Sequence, residues 1–276
     1  MADHRQCCDK GYDWAGTPVG TVRKLGGLDT YISQPAKQTD KAILVIGDVW
    51  GWELKNARLT ADKYAAAGFL AVVPDLLRGK PYAPPSEFGK FDMDSFGPWV
   101  AQHPAPRVNK DIDQVLAGLT NEYGIKTVSA IGFCWGGQFA AHLAAQEKIN
   151  AAVIPHGSFI TDELVESIKK PVLFLCPEKD FVMSAEQRGK IKQILAKKSF
   201  DHDVVTYEDM EHGFSLRGND KDEKVAKAAA DAFDRGLKFF KTHMRAKKKQ
   251  VPAVGLLVWA ATAALVVTRI VQERRK

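Results

Sequence analysis

Residues 127–137 read T-V-S-A-I-G-F-C-W-G-G, and the fold turns on this stretch. Residues 127–133 are β-branched and apolar enough for a strand, while residues 138–146 are alanine-rich with the period of a helix. Cys134 then sits on a sharp strand-to-helix turn. Gly132, Cys134 and Gly136 carry the spacing of the G-x-S-x-G nucleophile elbow. Small flanking residues there let the backbone turn tightly and present the central side chain, here a thiol in the hydroxyl's place.

Outward from the elbow, element types alternate. Residues 41–47 predict a buried strand, 56–67 a helix ended by Gly68, and 69–74 a second strand. Residues 78–106, rich in Pro, Gly and aromatics without periodicity, predict a long surface excursion of the kind that often carries function. Residues 108–123 follow as an amphipathic helix. Beyond the elbow, 151–155 and 172–176 read as strands, 184–197 as a helix, 203–207 as the last strand and 222–242 as a closing helix. This alternation predicts an α/β fold with a mostly parallel sheet flanked by helices, because parallel neighbours need helical crossovers.

The net charge of the 276 residues is +6, but it is unevenly placed. Residues 241–276 hold nine Lys or Arg against one Glu, leaving 30 basic and 32 acidic residues in the first 240. The body is therefore mildly acidic, and without a basic stripe interleaved with aromatics it argues against nucleic acid as a partner. Cys7, Cys8, Cys134 and Cys176 are too few for a disulfide framework, and adjacent Cys7 and Cys8 lack metal-ligand spacing. A reducing compartment, no metal and no cofactor are expected. The first ten residues have no apolar core, so neither a secretory signal nor a transit peptide is expected.

The C-terminus differs from the body. Residues 251–268 are uncharged for 18 positions and bracketed by basic residues. At about 1.5 Å per residue they span about 27 Å, enough for a thin hydrocarbon core, and they show no polar face. The expected organisation is an N-terminal tail (1–24), a catalytic domain (25–245) and a basic-flanked C-terminal transmembrane anchor (246–276). It would tether the catalytic domain on the cytosolic face of the mitochondrial outer membrane or the endoplasmic reticulum. The alternatives are a helix packed on the body or a partner, an interfacial segment, and a cytosolic protein.

A free thiol has a pKa of about 8.5 and needs a base or a positive environment to become a nucleophilic thiolate. In the α/β-hydrolase layout, nucleophile, acid and histidine follow in that order. Directly after the strand V-L-F-L-C comes P-E-K-D, ending at Asp180, and directly after the last strand comes M-E-H-G-F, with His212 at its centre. Both are strand-end loops, which converge at the carboxyl edge of a parallel sheet. Cys134, Asp180 and His212 are thus the candidate catalytic residues. Cys176 reads as a buried inert thiol, and His103, His142, His156 and His202 read as structural or exposed.

G-F-C-W-G-G, the E-K-D loop, H-G-F followed by Arg217, and the early D-V-W-G-W segment together resemble the dienelactone hydrolase family, carboxymethylenebutenolidase and its homologues, over roughly residues 25–243. The resemblance implies that Cys134 attacks a lactone or ester carbonyl to form a thioester, with His212 as general base and acid and Asp180 holding it. It also implies an oxyanion hole from the backbone N–H groups of Trp135 and Val49. Where the bacterial members carry a glutamate that helps ionise the thiol, this chain has Asp48, one methylene shorter. The two arginines that hold an anionic substrate in those members map to Arg217 and Arg78, with Lys80 a competitor for the second. If they act so here, the substrate bears a carboxylate beside the scissile ester. Trp50, Trp52, Trp99 and Trp135 are candidates to line an apolar pocket. Two other readings stand beside this one: a non-catalytic anchored scaffold, which the complete residue set argues against, and a thioesterase or amide-cleaving relative with the same nucleophile.

Overall fold

Apolar runs such as K-A-I-L-V-I and L-A-V-V-P make strands buried on both faces, the pattern of a sheet covered by helices on each side. A computed structural model describes residues 11–83 and 92–244. Among these residues the strands are β1 (Thr21–Leu25), β2 (Leu28–Ser33), β3 (Lys41–Ile46), β4 (Leu70–Pro74), β5 (Thr127–Gly132), β6 (Ala152–Pro155), β7 (Val172–Lys179) and β8 (His202–Glu211). They form one sheet in the order β1-β2-β4-β3-β5-β6-β7-β8. β2 runs antiparallel to β1 and β4, and every pair from β4 to β8 is parallel.

The helices are α1 (Lys55–Ala66), α2 (Met93–Ala101), α3 (Ala105–Tyr123), α4 (Gly136–Ala145), α5 (Asp162–Ser167), α6 (Ala185–Leu195), α7 (Phe214–Arg217) and α8 (Glu223–His243). Alternate residues of β3 sort them into two layers. Ala42, Leu44 and Ile46 pack in one core with Ile112 of α3, Phe139 of α4 and Ile191 of α6. Ile43 and Val45 pack in a second core with Ala61 of α1 and Phe240 of α8. Local signals set the ends: α3 has Pro106 in its first turn, where the missing N–H costs nothing, and stops at Gly124 with φ of 66°. The strand order reverses between β3 and β5, so the loops after those two strands open the crevice in which ligands of such sheets bind.

The α/β expectation holds for the sheet and its helices, and one part of it is corrected. No helix among the described residues is long and apolar enough to cross a membrane. Residues 251–268, on which the expected C-terminal transmembrane helix rested, lie outside the described residues. Five elements went unread in the sequence: β1, β2, α2, α5 and α7. The β1–β2 hairpin has an outer strand exposed at four of its five positions, and it turns through Gly26 and Gly27, at φ of 57° and 85°. Within the excursion read from residues 78–106 lies α2, whose Gly97 and Pro98 hide its periodicity. The remaining two, α5 and α7, are short helices of six and four residues.

Candidate active site

The elbow is built by steric exclusion. A Cβ on Gly132 would lie 2.3 Å from the Gly136 carbonyl oxygen, and one on Gly136 would lie 2.4 Å from that of Ile46. Only glycine fits either position. The Gly136 N–H donates to Phe133 O at 2.8 Å and the Gly137 N–H to Cys134 O at 2.9 Å, closing the turn into the start of α4. Cys134 is held at φ of 51°, a left-handed conformation costly for a residue with a side chain and typical of functional turns. Its thiol lies at the carboxyl edge of β5 and at the N-terminus of α4, whose dipole favours an anion there.

Two further strand ends bring charge to this point. Asp180 directly follows β7 and His212 directly follows β8. The Asp180 carboxylate straddles His212 Nδ1, with Oδ2 at 3.0 Å and Oδ1 at 3.1 Å, and Oδ1 also accepts the Val182 N–H at 2.8 Å. Burial would push the His212 imidazole down, but the Cys134 sulfur and the Asp180 carboxylate together raise it to about 10. Burial likewise pushes the Cys134 thiol up, yet the charge and hydrogen bond of His212, followed by Arg217, bring it below its ordinary value. The arrangement favours thiolate and imidazolium over the neutral pair. Trp135, the residue after the thiol, is the N-cap of α4, and Val49 follows Asp48 in the loop after β3.

The sequence profile described as the dienelactone hydrolase family matches residues 28–244. The chain belongs to the dienelactone hydrolase family. A carboxymethylenebutenolidase homolog of Xenopus tropicalis is 32% identical over 215 residues, covering 77% of this chain and 86% of the relative. Hydrolase tropI of Talaromyces stipitatus is 28% identical over 248 residues, covering 88% and 98%. The crystal structure of a dienelactone hydrolase from Anabaena variabilis superposes with a TM-score of 0.59 at 16% identity, covering 82% of this chain and 98% of that one, a likeness of fold. The chain is accordingly a hydrolase with an α/β-hydrolase-like fold.

The residues that the dienelactone hydrolase resemblance assigned to activation and substrate binding are placed differently from one another. Asp48, after β3, is buried and ion-paired through Oδ2 to Arg217 Nε at 2.7 Å, while its Oδ1 accepts the Trp50 N–H at 3.0 Å. Burial raises its carboxyl above the usual range despite Arg217. Asp48 and Arg217 thus join Cys134 and His212 in one electrostatic group, in which the Asp48 charge opposes the thiolate and that of Arg217 favours it. Arg78 does not join that group. Its guanidinium grips buried Asp111 of α3 through two bonds, at 2.7 and 3.1 Å, and lines a separate cleft with Lys24 and Asp75.

One residue near the thiol, Ser158, escaped the sequence, and His156, read as structural or exposed, lies beside His212. Ser158, three positions past β6, donates from Oγ to Cys134 Sγ at 3.5 Å, and its N–H donates to Cys134 O at 2.9 Å. Its position beyond another strand of the same edge was the available signal. His156 is fully buried with its ring 5.1 Å from that of His212 and both ring nitrogens without a hydrogen bond among the described residues. Burial, then the charges of His212 and Arg217, keep it neutral. Its ring packs edge-on against that of His212.

Proposed function

We propose that this hydrolase cleaves a lactone or small carboxylic ester through a thioester on Cys134. The Cys134 thiolate attacks the carbonyl carbon, and the developing oxyanion is received by the Val49 and Trp135 N–H groups. Collapse breaks the ester C–O bond, and His212 gives its Nε2 proton to the departing alkoxide. Neutral His212 then takes a proton from water as the hydroxide adds to the thioester carbon. The second intermediate collapses to the carboxylic acid and expels the thiolate, restoring thiolate and imidazolium. Asp180 keeps His212 in one tautomer and orientation through both half-reactions. Arg217 stabilises the thiolate, Asp48 holds Arg217 in place, and Ser158 supplies a further donor to the sulfur.

The observation that carries this reading is the Asp180 carboxylate on His212 Nδ1 at 3.0 and 3.1 Å, on a histidine raised to about 10 beside a thiol brought down. The carboxymethylenebutenolidase name of the relatives supports a lactone or related ester as substrate. The test is hydrolysis of a small activated aryl ester by the full chain. Cys134→Ala should lose at least about 10³-fold in kcat/KM with an unchanged circular dichroism spectrum. Turnover that survives the substitution would refute the mechanism.

A further inference from the structure

Residues 11–20, which precede the stretch matched by the family profile, run as a strap past the turn that follows His212. Three consecutive carbonyls of that turn accept hydrogen bonds from the strap or from its anchor, Asn56. Leu216 O accepts from Asn56 Nδ2 at 2.8 Å, Arg217 O from the Tyr12 N–H at 3.0 Å, and Gly218 O from Trp14 Nε1 at 3.0 Å. Asn56, fully buried in α1, also donates from Nδ2 to Tyr12 O at 2.7 Å and accepts the Trp14 N–H at Oδ1 at 2.9 Å. Farther along, Asp220 Oδ2 accepts the Ala15 N–H at 3.1 Å and Asp62 Oδ2 the Val19 N–H at 3.0 Å. Gly11 approaches the turn so closely that an added Cβ would lie 2.5 Å from Arg217 O and 2.7 Å from Arg217 Cβ.

The turn needs such support. α7 has four residues, so its carbonyls find no partners inside the helix, and a single turn is too short to be stable by itself. It begins two residues after His212 and ends at Arg217, whose guanidinium folds back over Gly213, where an added Cβ would lie 2.8 Å from Nη2. His212 and Arg217 are the groups whose charges lower the Cys134 thiol, against burial and the charge of Asp48. The bonds that fix residues 216–218 therefore also fix the backbone from which both cationic groups project. Misplacing a reacting group by about 1 Å can cost about 10²-fold in rate.

We infer that the strap of residues 11–20 is a positioning element of the site: Gly11, Trp14 and Asn56 hold the turn that carries His212 and Arg217 in its place beside Cys134. The inference rests on the Cys134 hydrolase reading. The test follows kcat/KM for an activated aryl ester against pH, together with the urea midpoint, in the full chain. Gly11→Ala wedges a methyl between strap and turn and should lower kcat/KM by about tenfold. Its acid limb, where activity is lost as pH falls through the ionisation of the thiol, should move up by about half a pH unit, because looser contact with His212 and Arg217 raises the thiol. Trp14→Phe keeps the ring and deletes the donor to Gly218 O, and should cost about threefold with a smaller shift in the same direction. It keeps the test decisive if Gly11→Ala lowers the yield of folded chain. Thr17→Ala, at an exposed position of the same strap, should leave both readouts unchanged. Lower urea midpoints in Gly11→Ala and Trp14→Phe, with kcat/KM within about twofold and the acid limb unmoved, would make the strap merely structural and overturn the inference while the nucleophile stands. A loss in Thr17→Ala equal to theirs would overturn it as well. Hydrolysis no faster than the Cys134→Ala background removes the underlying reading, and this inference with it.

Discussion

Two thiols share one apolar core, and only one of them lies beside a histidine and an arginine. Cys134 is 6% exposed at the end of β5 and Cys176 is fully buried within β7, so exposure hardly separates them. Their neighbours do. Cys176 has Met183 Sδ at 3.6 Å, and burial, which nearby Arg188 only partly offsets, pushes its thiol up to about 12. Cys134 suffers the same desolvation, but it sits where the ends of β3, β7 and β8 deliver Arg217-bound Asp48, Asp180 and His212, and its thiol comes down. Position along the strand therefore decides which charges each thiol meets. A strand interior meets only other side chains of the core, whereas the carboxyl edge of a parallel sheet collects the loops that can carry charge.

The sharpest way to break this contrast is alkylation of the native chain by iodoacetamide, followed by peptide mapping. Cys134 should modify at neutral pH, and Cys176 should stay at least about 10³-fold slower until the chain unfolds. Because the Cys134 thiol is shifted down, its rate should begin to fall at a lower pH than that of an ordinary thiol, which loses about tenfold per unit below its own pKa. The rate falls only as pH drops through the lowered pKa. His212→Gln removes the main opposing charge and leaves burial in control. Its Cys134 should then resemble Cys176, with neutral-pH alkylation slowed about 10²-fold and recovering tenfold per unit toward alkaline pH. An unchanged profile in that variant would mean that His212 does not set the thiol's ionisation.

A smaller effect sharpens the steric half of the comparison. Gly136→Ala places a methyl against the Ile46 carbonyl and should cost about 1–3 kcal/mol, read as a lowered urea midpoint. Gly189→Ala, in α6 with nothing within 4 Å of the new methyl, should instead gain about 0.5–1 kcal/mol. Equal effects at both positions would deny the elbow its tight backbone approach.

The parts of the fold that the sequence disclosed are those where one residue type has one physical use. Apolar runs marked β3 to β7, and the spacing of Gly132, Cys134 and Gly136 marked the elbow. Strand-end position singled out Asp180 and His212, which the structure brings together at 3.0 Å. What stayed hidden depends on partners remote in the chain. Arg78 sits in a loop that reads equally well as part of a binding site, and only the fold shows it bound by Asp111 of α3. Ser158 looks like any loop serine until the end of β6 is laid beside that of β5. The exposed edge strand β1 lacks an apolar pattern because its side chains face solvent.

The central claim is that Cys134 carries the acyl group. Rapid-quench intact mass spectrometry of the full chain mixed with an activated aryl ester, followed by peptide mapping, tests it most directly. The account predicts a transient mass increase of one acyl group, localised to the peptide containing Cys134 and absent from Cys134→Ala. An acyl group on another residue, or steady hydrolysis with Cys134 never acylated, would contradict it.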